Sequence, residues 1–372
     1  MLWELLKGLI LGTFTGLTPG IHVNTLAEMG GSFFLLFAMG LTHTFMDAFP
    51  STFLGVPEEG TALSVLPAHR LVLSGRGGEA IEIALWASLL AVFFSIPLSV
   101  IYPTLAKGYS PEIGRTAAGL LLVFLLLTAG KGKKTKTLVI MALSGLLGIA
   151  VLRGFPVEEP FYHLFTGLFG IPIIISALES RDFPEQEAQW EIDVGALAAF
   201  SFAGTLIGMI SSLLPAFTAS MGAAIATAFS KGERNFLAAA YSINTANFFF
   251  GVINYSLTGR TRNGVTVAMS RNGVTVPGCD ILFLSALFVG FLAVLAGMAL
   301  LGVYVKFIRM IPYTHLNLAV IVLLIALSLY FDGLSGLWVL ATSSLVGYLA
   351  GVWGVRRTSC MAVLIVPLII GV

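Results

Sequence analysis

Glu58, Glu59, His69 and Arg70 crowd into one stretch of an otherwise apolar chain. The stretch is residues 54–81, LGVPEEGTALSVLPAHRLVLSGRGGEAI, and it also holds the breakers Gly55, Pro57, Gly60 and Pro67. A charged group at bilayer depth costs roughly 2.5–3.5 kcal/mol even on lenient insertion scales. Irregular backbone at that depth survives only where protein or a water-filled cavity surrounds it. The stretch therefore reads as a re-entrant or broken-helix element lining a substrate path. Glu58 and Glu59 are the expected ion-coupling groups, because paired carboxylates in low dielectric push one pKa up toward a useful carrier value. The alternative is that both are simply solvated. Arg70 is expected to grip an anionic carboxylate or phosphate with its fork, or to pair with Glu58 or Glu59. The two roles are compatible if substrate competes for the arginine.

Further polar groups stand beside breaks in apolar runs. His22, Asn24 and Thr25 follow Pro19-Gly20, where freed backbone amides attract anions; local capping is the competing role. Asn244 and Asn247 sit three apart, on one helical face, placed to hydrogen-bond substrate or to join two helices. Thr61 and Ser220 complete the substrate-binding candidates. Arg260, Arg262 and Arg271 read as a headgroup or orientation signal. His43, His163 and His315 lack partner spacing and read as structural.

The elements that must position these groups follow from composition. The chain has 372 residues, 57% hydrophobic and 10% charged, with mean hydropathy +0.95. Soluble domains carry about 25% charged residues, so this is a multi-pass integral membrane protein of the cell membrane. A net charge of +1 gives no reason to expect nucleic acid. Cys279 and Cys360 have neither CxxC nor metal spacing. The apolar start lacks a basic n-region and a cleavage site, and reads as a mature first helix. No metal or other cofactor is expected beyond a coupling H⁺ or Na⁺.

Hydropathy and breakers define an all-α fold of about ten transmembrane or re-entrant helices. The basic loop at residues 131–136 is assigned to the cytoplasm by the positive-inside rule. The polar run 179–193 reads as a linker between a first membrane repeat, 1–178, and a second, 194–372. The repeat rests on spacing: Gly12-Thr13 and Gly16 recur as Gly204-Thr205 and Gly208, and Pro19 recurs as Pro215. These pseudo-symmetric halves predict interrupted helices or hairpins meeting at the bilayer midplane. Corresponding interrupted segments are the sequence mark of a secondary transporter's binding site.

Gly55-Val56-Pro57, followed by Gly75-Arg76-Gly77-Gly78-Glu79-Ala80-Ile81, resembles the motif pair of the TctA family, the large permease subunit of tripartite tricarboxylate transporters. Gly16-Leu17-Thr18-Pro19-Gly20 looks like that family's entrance, and residues 244–251 like its second-half Asn/Ala-rich segment. The chain departs from the pattern at Glu58-Glu59, where the family has Gly-Thr, and near Ala68-His69-Arg70, where it has Asp-Gly-Tyr. It is also shorter than expected for the family. The resemblance implies a transporter of a small carboxylate-type anion working by alternating access. A small membrane subunit or an extracytoplasmic binding protein would be its partners, and a homodimer is open. The competing class is a polyprenyl-phosphate flippase, with Arg70 for the phosphate and Glu58 or Glu59 for a proton. An intramembrane enzyme is not expected: there is no HExxH, no DDxxD and no Ser/His/Asp grouping.

Overall fold

The computed structural model describes residues 1–19, 22–178, 184–187, 192–214 and 217–371, and of Thr25 and Pro111 the backbone alone. All regular structure among them is helical. The first half comprises α1 (Leu2–Leu17), α2 (Val23–Ala27), α3 (Phe33–Met46), α4 (Ala48–Phe53), α5 (Val65–Leu73), α6 (Gly77–Leu98), α7 (Tyr102–Lys107), α8 (Pro111–Leu127), α9 (Lys134–Leu152) and α10 (Pro160–Phe165). A π-helical turn, Thr166–Gly170, joins α10 to α11 (Ile171–Ala177). The second half comprises α12 (Val194–Leu213), α13 (Ala219–Ala226), α14 (Glu233–Thr258), α15 (Gly264–Arg271), α16 (Cys279–Arg309) and α17 (Tyr313–Val352). A 3₁₀ turn, Arg357–Met361, then leads to α18 (Ala362–Ile370). Eight helical stretches among the described residues are long and apolar enough to cross a membrane.

Val23, which opens α2, and Ala219, which opens α13, lie 196 residues apart, as Pro19 and Pro215 do. The glycines explain the pairing of the leading helices. Gly8, Gly12 and Gly16 face the backbone of α3, and a Cβ on Gly8 would sit 2.5 Å from the Leu35 carbonyl oxygen. Gly208 repeats this in α12, with its absent Cβ 2.6 Å from the Ile243 carbonyl of α14. Small residues let backbones approach where lipid supplies no hydrophobic drive between helices.

The halves interlock. α3 packs on α16, and α14 packs on α6. α10, the π turn and α11 pack on α17, while α18 packs on α8 and α9. Each half thus covers apolar faces of the other. α3 and α4 share a polar seam with α14: Thr44 with Thr245 at 3.1 Å, Asp47 with Asn244 at 2.9 Å, and Ser51 with Tyr241 at 3.2 Å.

Helix persists through α3 and α4 to Phe53, because His43, Asp47 and Ser51 turn into the bundle rather than toward lipid. α17 is two helices that meet at a kink at Gly333, whose φ of +56° only glycine takes readily. Of the expected linker, 179–183 and 188–191 lie outside the described residues. Residues 184–187 dock on the α5–α6 turn, where Gly77 N donates to Gln186 Oε1 at 2.8 Å. The Pro19-Gly20 and Pro215 breaks lie partly and wholly outside the described residues.

Candidate functional site

The loop between α4 and α5 is set by its own residues. Gly55 takes φ +67°. Leu54 N and Val56 N both reach the Pro50 carbonyl, ending α4. Glu58 to Thr61 is a turn: Thr61 N donates to the Glu58 carbonyl at 3.2 Å, and Glu58 N donates to Thr61 Oγ1 at 3.3 Å. Thr61 is thus engaged by the loop's own backbone. The π turn buttresses the loop from behind, since a Cβ on Gly170 would meet Pro57 Cδ at 2.6 Å. π-bulges recur at functional sites because they re-aim a helix without ending it.

That loop delivers Glu58 to two histidines. His43 Nε2 lies 2.7 Å from Glu58 Oε2, and His22 Nε2 lies 3.6 Å from the same oxygen. The imidazole centroids are 4.9 Å apart. Each ring is held at its other nitrogen. Asn24 N donates to His22 Nδ1 at 3.1 Å, capping α2. Thr15 Oγ1 of α1 is 3.0 Å from His43 Nδ1 and 3.2 Å from the Gly12 carbonyl. His43 is buried, and His22 and Glu58 are part-exposed to a cavity.

The cavity has a volume of about 560 Å³, within the usual range of roughly 300–1,000 Å³ for small-molecule sites. Both halves line it. His22, Asn24, His43, Asp47, Glu58 and Glu59 come from the first; Thr218, Asn244, Asn247, Arg262 and Asn263 come from the second. The two interrupted segments touch directly, because the Ser220 hydroxyl donates to the Glu59 carbonyl. Gly60 lies so close to the Asn244 amide that no side chain fits between them. Asp47 is buried; its Oδ2 accepts from Asn244 Nδ2 at 2.9 Å, and Oδ1 has no hydrogen-bond partner among the described residues. Arg262 Nη2 donates to the Ser211 carbonyl at 3.1 Å and to that of Leu214, capping the end of α12. Its buried Nε has no partner among the described residues. A side cavity of about 140 Å³ continues past His22 and Glu59 to Glu159 and Phe331.

Arg70 is elsewhere. It is exposed, with Nη1 3.4 Å from Glu233 Oε1, and lines a second cavity of about 570 Å³ with Arg356 and Arg357. The expected pairing with Glu58 or Glu59 is absent: Arg70 lies beyond Ala62 and Leu63, on the far side of the same loop. The flippase reading, which needs that arginine beside those glutamates, loses its pairing. The second cavity lies at the basic-loop end, where Lys133 Nζ reaches the Gly354 carbonyl at 2.8 Å. The Gly75–Glu79 motif lies at that end too, and Glu79 is a buried hub for Arg234 at 2.6 Å and Arg76 at 2.8 Å. Thr25's side chain is outside the described residues. Asn24's side chain packs against Gly264.

Three cavity groups, His43, Asp47 and Arg262, escaped the sequence reading, as did Thr15, which sits behind His43. His43 and Asp47 stand four apart in an apolar run, a one-face signal that was legible. His163, read as structural alongside it, binds Asp332 at 2.7 Å and Ser328 at 3.1 Å. It borders none of the three cavities described above. Arg262 gave no signal, because only the fold turns it away from its neighbour Arg260.

A helical bundle of membrane length around a polar cavity defines a multi-pass membrane permease. The chain belongs to the Tripartite tricarboxylate transporter TctA family, whose model matches residues 2–362. It is similar to a protein of Methanocaldococcus jannaschii described as uncharacterized, 31% identical over 395 aligned positions that cover 98% of this chain and 97% of that one. No solved structure matches.

Proposed function

We propose that this chain is a secondary carrier that moves a small carboxylate-type anion across the cell membrane by alternating access, coupled to H⁺ or Na⁺. The observation that carries this reading is the cavity in which hydrogen-bonding groups of both halves converge on one guanidinium, Arg262. A guanidinium held by backbone carbonyls on one edge keeps its remaining donors aimed, as carboxylate recognition requires. Asn244, Asn247 and Thr218 supply neutral donors around it. Gly60 lines the first cavity and Ala62 the second, so residues 60–62 lie between them and are where alternating access would act.

The family's description as tripartite supports a small membrane subunit and an extracytoplasmic binding protein as partners. The purified chain in proteoliposomes, alone and with such subunits, tests the reading by uptake of radiolabelled citrate. Saturable uptake, competed by other di- and tricarboxylates and lost in Arg262→Ala, is expected. Uptake that no carboxylate supports, together with transbilayer movement of a polyprenyl phosphate, would replace this reading with the flippase.

A further inference from the structure

We propose that the coupling ion is the proton and that His43 takes it up, with Thr15 serving both protonation states and Glu58 as counter-charge. This rests on the carrier reading above and commits it to one ion.

The first argument is hydrogen-bond accounting. A neutral imidazole has one donor and one acceptor, and an imidazolium has two donors. His43 Nε2 faces the Glu58 carboxylate at 2.7 Å and so carries hydrogen in either state. The change must occur at Nδ1, which faces Thr15 Oγ1 at 3.0 Å. With His43 neutral, the hydroxyl donates to Nδ1. With His43 protonated, Nδ1 donates to the hydroxyl, which turns its own hydrogen to the Gly12 carbonyl at 3.2 Å. One hydroxyl rotation satisfies both states, and no buried donor is orphaned in either.

The second argument separates the proton from a metal ion. His22, His43 and Glu58 hold their ligand atoms within 4.8 Å of one another, as a cation site could. His22 Nδ1, however, accepts the Asn24 N–H, so neutral His22 bears its hydrogen on Nε2, the atom that faces Glu58. A metal needs that nitrogen bare. The ring is fixed as a donor to the carboxylate instead.

The third argument is charge. The charged and titratable groups facing His43 are Glu58 from the loop, His22 ahead of α2, and Asp47 on its own helix; Glu59 and Arg262 border the same cavity. α1 contributes Thr15 and α14 contributes Asn244, both uncharged. A proton on His43 adds one positive charge to a cavity meant to hold an anion, so proton and anion each tighten the other's binding, as linkage requires.

The test reads a ratio: citrate uptake with an imposed inward gradient over uptake without one. Wild type should give a ratio well above one for a proton gradient and near one for a sodium gradient. His43→Gln should bring the proton ratio to about one, and Thr15→Val should displace its pH dependence. A wild-type response to sodium alone, or a proton ratio that survives His43→Gln, overturns the proposal. A second arm needs no cargo. ¹⁵N-imidazole NMR between about pH 5 and pH 8, where histidine titrates, should show a resonance that is lost in His43→Gln and shifted in Thr15→Val. A His43 signal that never titrates overturns the proposal even where citrate uptake is robust. Titration of His43 without any citrate uptake removes the carrier reading and the coupling role with it, and leaves His43 as a proton site alone.

Discussion

The two large cavities are alike in volume and differ in construction. The one that holds Glu58 is built mainly from part-buried or buried groups, several held by a second bond: His43 by Thr15, His22 by the α2 backbone, Asp47 by Asn244, and Arg262 by the end of α12. The one that holds Arg70 has one such group, Arg357, whose Nη1 donates to the Phe169 carbonyl at 3.2 Å, beside exposed charges: Arg70 is 61% and Glu233 37% exposed across a 3.4 Å pair. One loop divides them, since Glu58 to Gly60 line the first and Ala62 to Arg70 the second. Fixed donors discriminate among ligands, because a bound group that misses them leaves them unpaired. Mobile exposed charges mainly attract and are screened by salt. On the carrier reading proposed above, recognition falls to the first cavity and electrostatic steering to the exposed charges of the second.

The sharpest way to break that contrast is at Arg262. A hydrogen bond to a charged group contributes about 1.5–3 kcal/mol, or roughly 10- to 150-fold in affinity. Arg262→Ala should raise the citrate KM or lower the uptake rate by at least the lower figure, and Arg262→Lys should recover only part of it, since an ammonium lacks the fork. Binding isotherms unchanged in Arg262→Ala would remove the first cavity as the recognition site.

Gly60→Ala comes next. The new methyl would fall on the Asn244 amide, and overpacking of this kind costs about 1–3 kcal/mol. It should either part the two interrupted segments or displace Asn244 from Asp47, lowering transport with little change in helix content by circular dichroism. Asn244→Ala probes the same place more gently. It strips Asp47 Oδ2 of its partner, at about 1–3 kcal/mol, and should lower the melting temperature as well as uptake. A variant that transports normally would show that the contact between halves is packing alone.

What the sequence made legible follows from where the signal was local. Breakers among apolar runs marked where helices end, because a proline or glycine acts on its own neighbourhood. Glycines spaced four apart lie where α1 meets α3 and α12 meets α14, but which helices they bring together was not legible, because the partner is distant in sequence. Glu58, Glu59, Asn244 and Asn247 do meet around one cavity, since both interrupted segments carry polar groups that lipid rejects. Arg70 was misplaced because periodicity does not say which end of a helix a residue occupies: α5 carries it away from Glu58 toward Glu233. Asp47 was overlooked because its partner lies 197 residues on, and Arg262 because its backbone acceptors belong to α12.

The smallest effect should be at Arg70 itself. An exposed pair contributes about 0.2–1 kcal/mol, and salt reduces it. Arg70→Gln should therefore change citrate KM by no more than a few-fold at low ionic strength. The change should fade as salt is raised toward about 0.15 M, where the Debye length falls to about 8 Å. Glu233→Gln should do the opposite at low salt, because it leaves Arg70, Arg356 and Arg357 less compensated and deepens the positive field of the cavity. The sign matters more than the size. Two neutral substitutions with opposite, salt-sensitive effects mark a steering field. Equal losses in both, insensitive to salt, would mark a structural pair, and the division of labour between the cavities would then have to be redrawn with recognition on both sides of the loop.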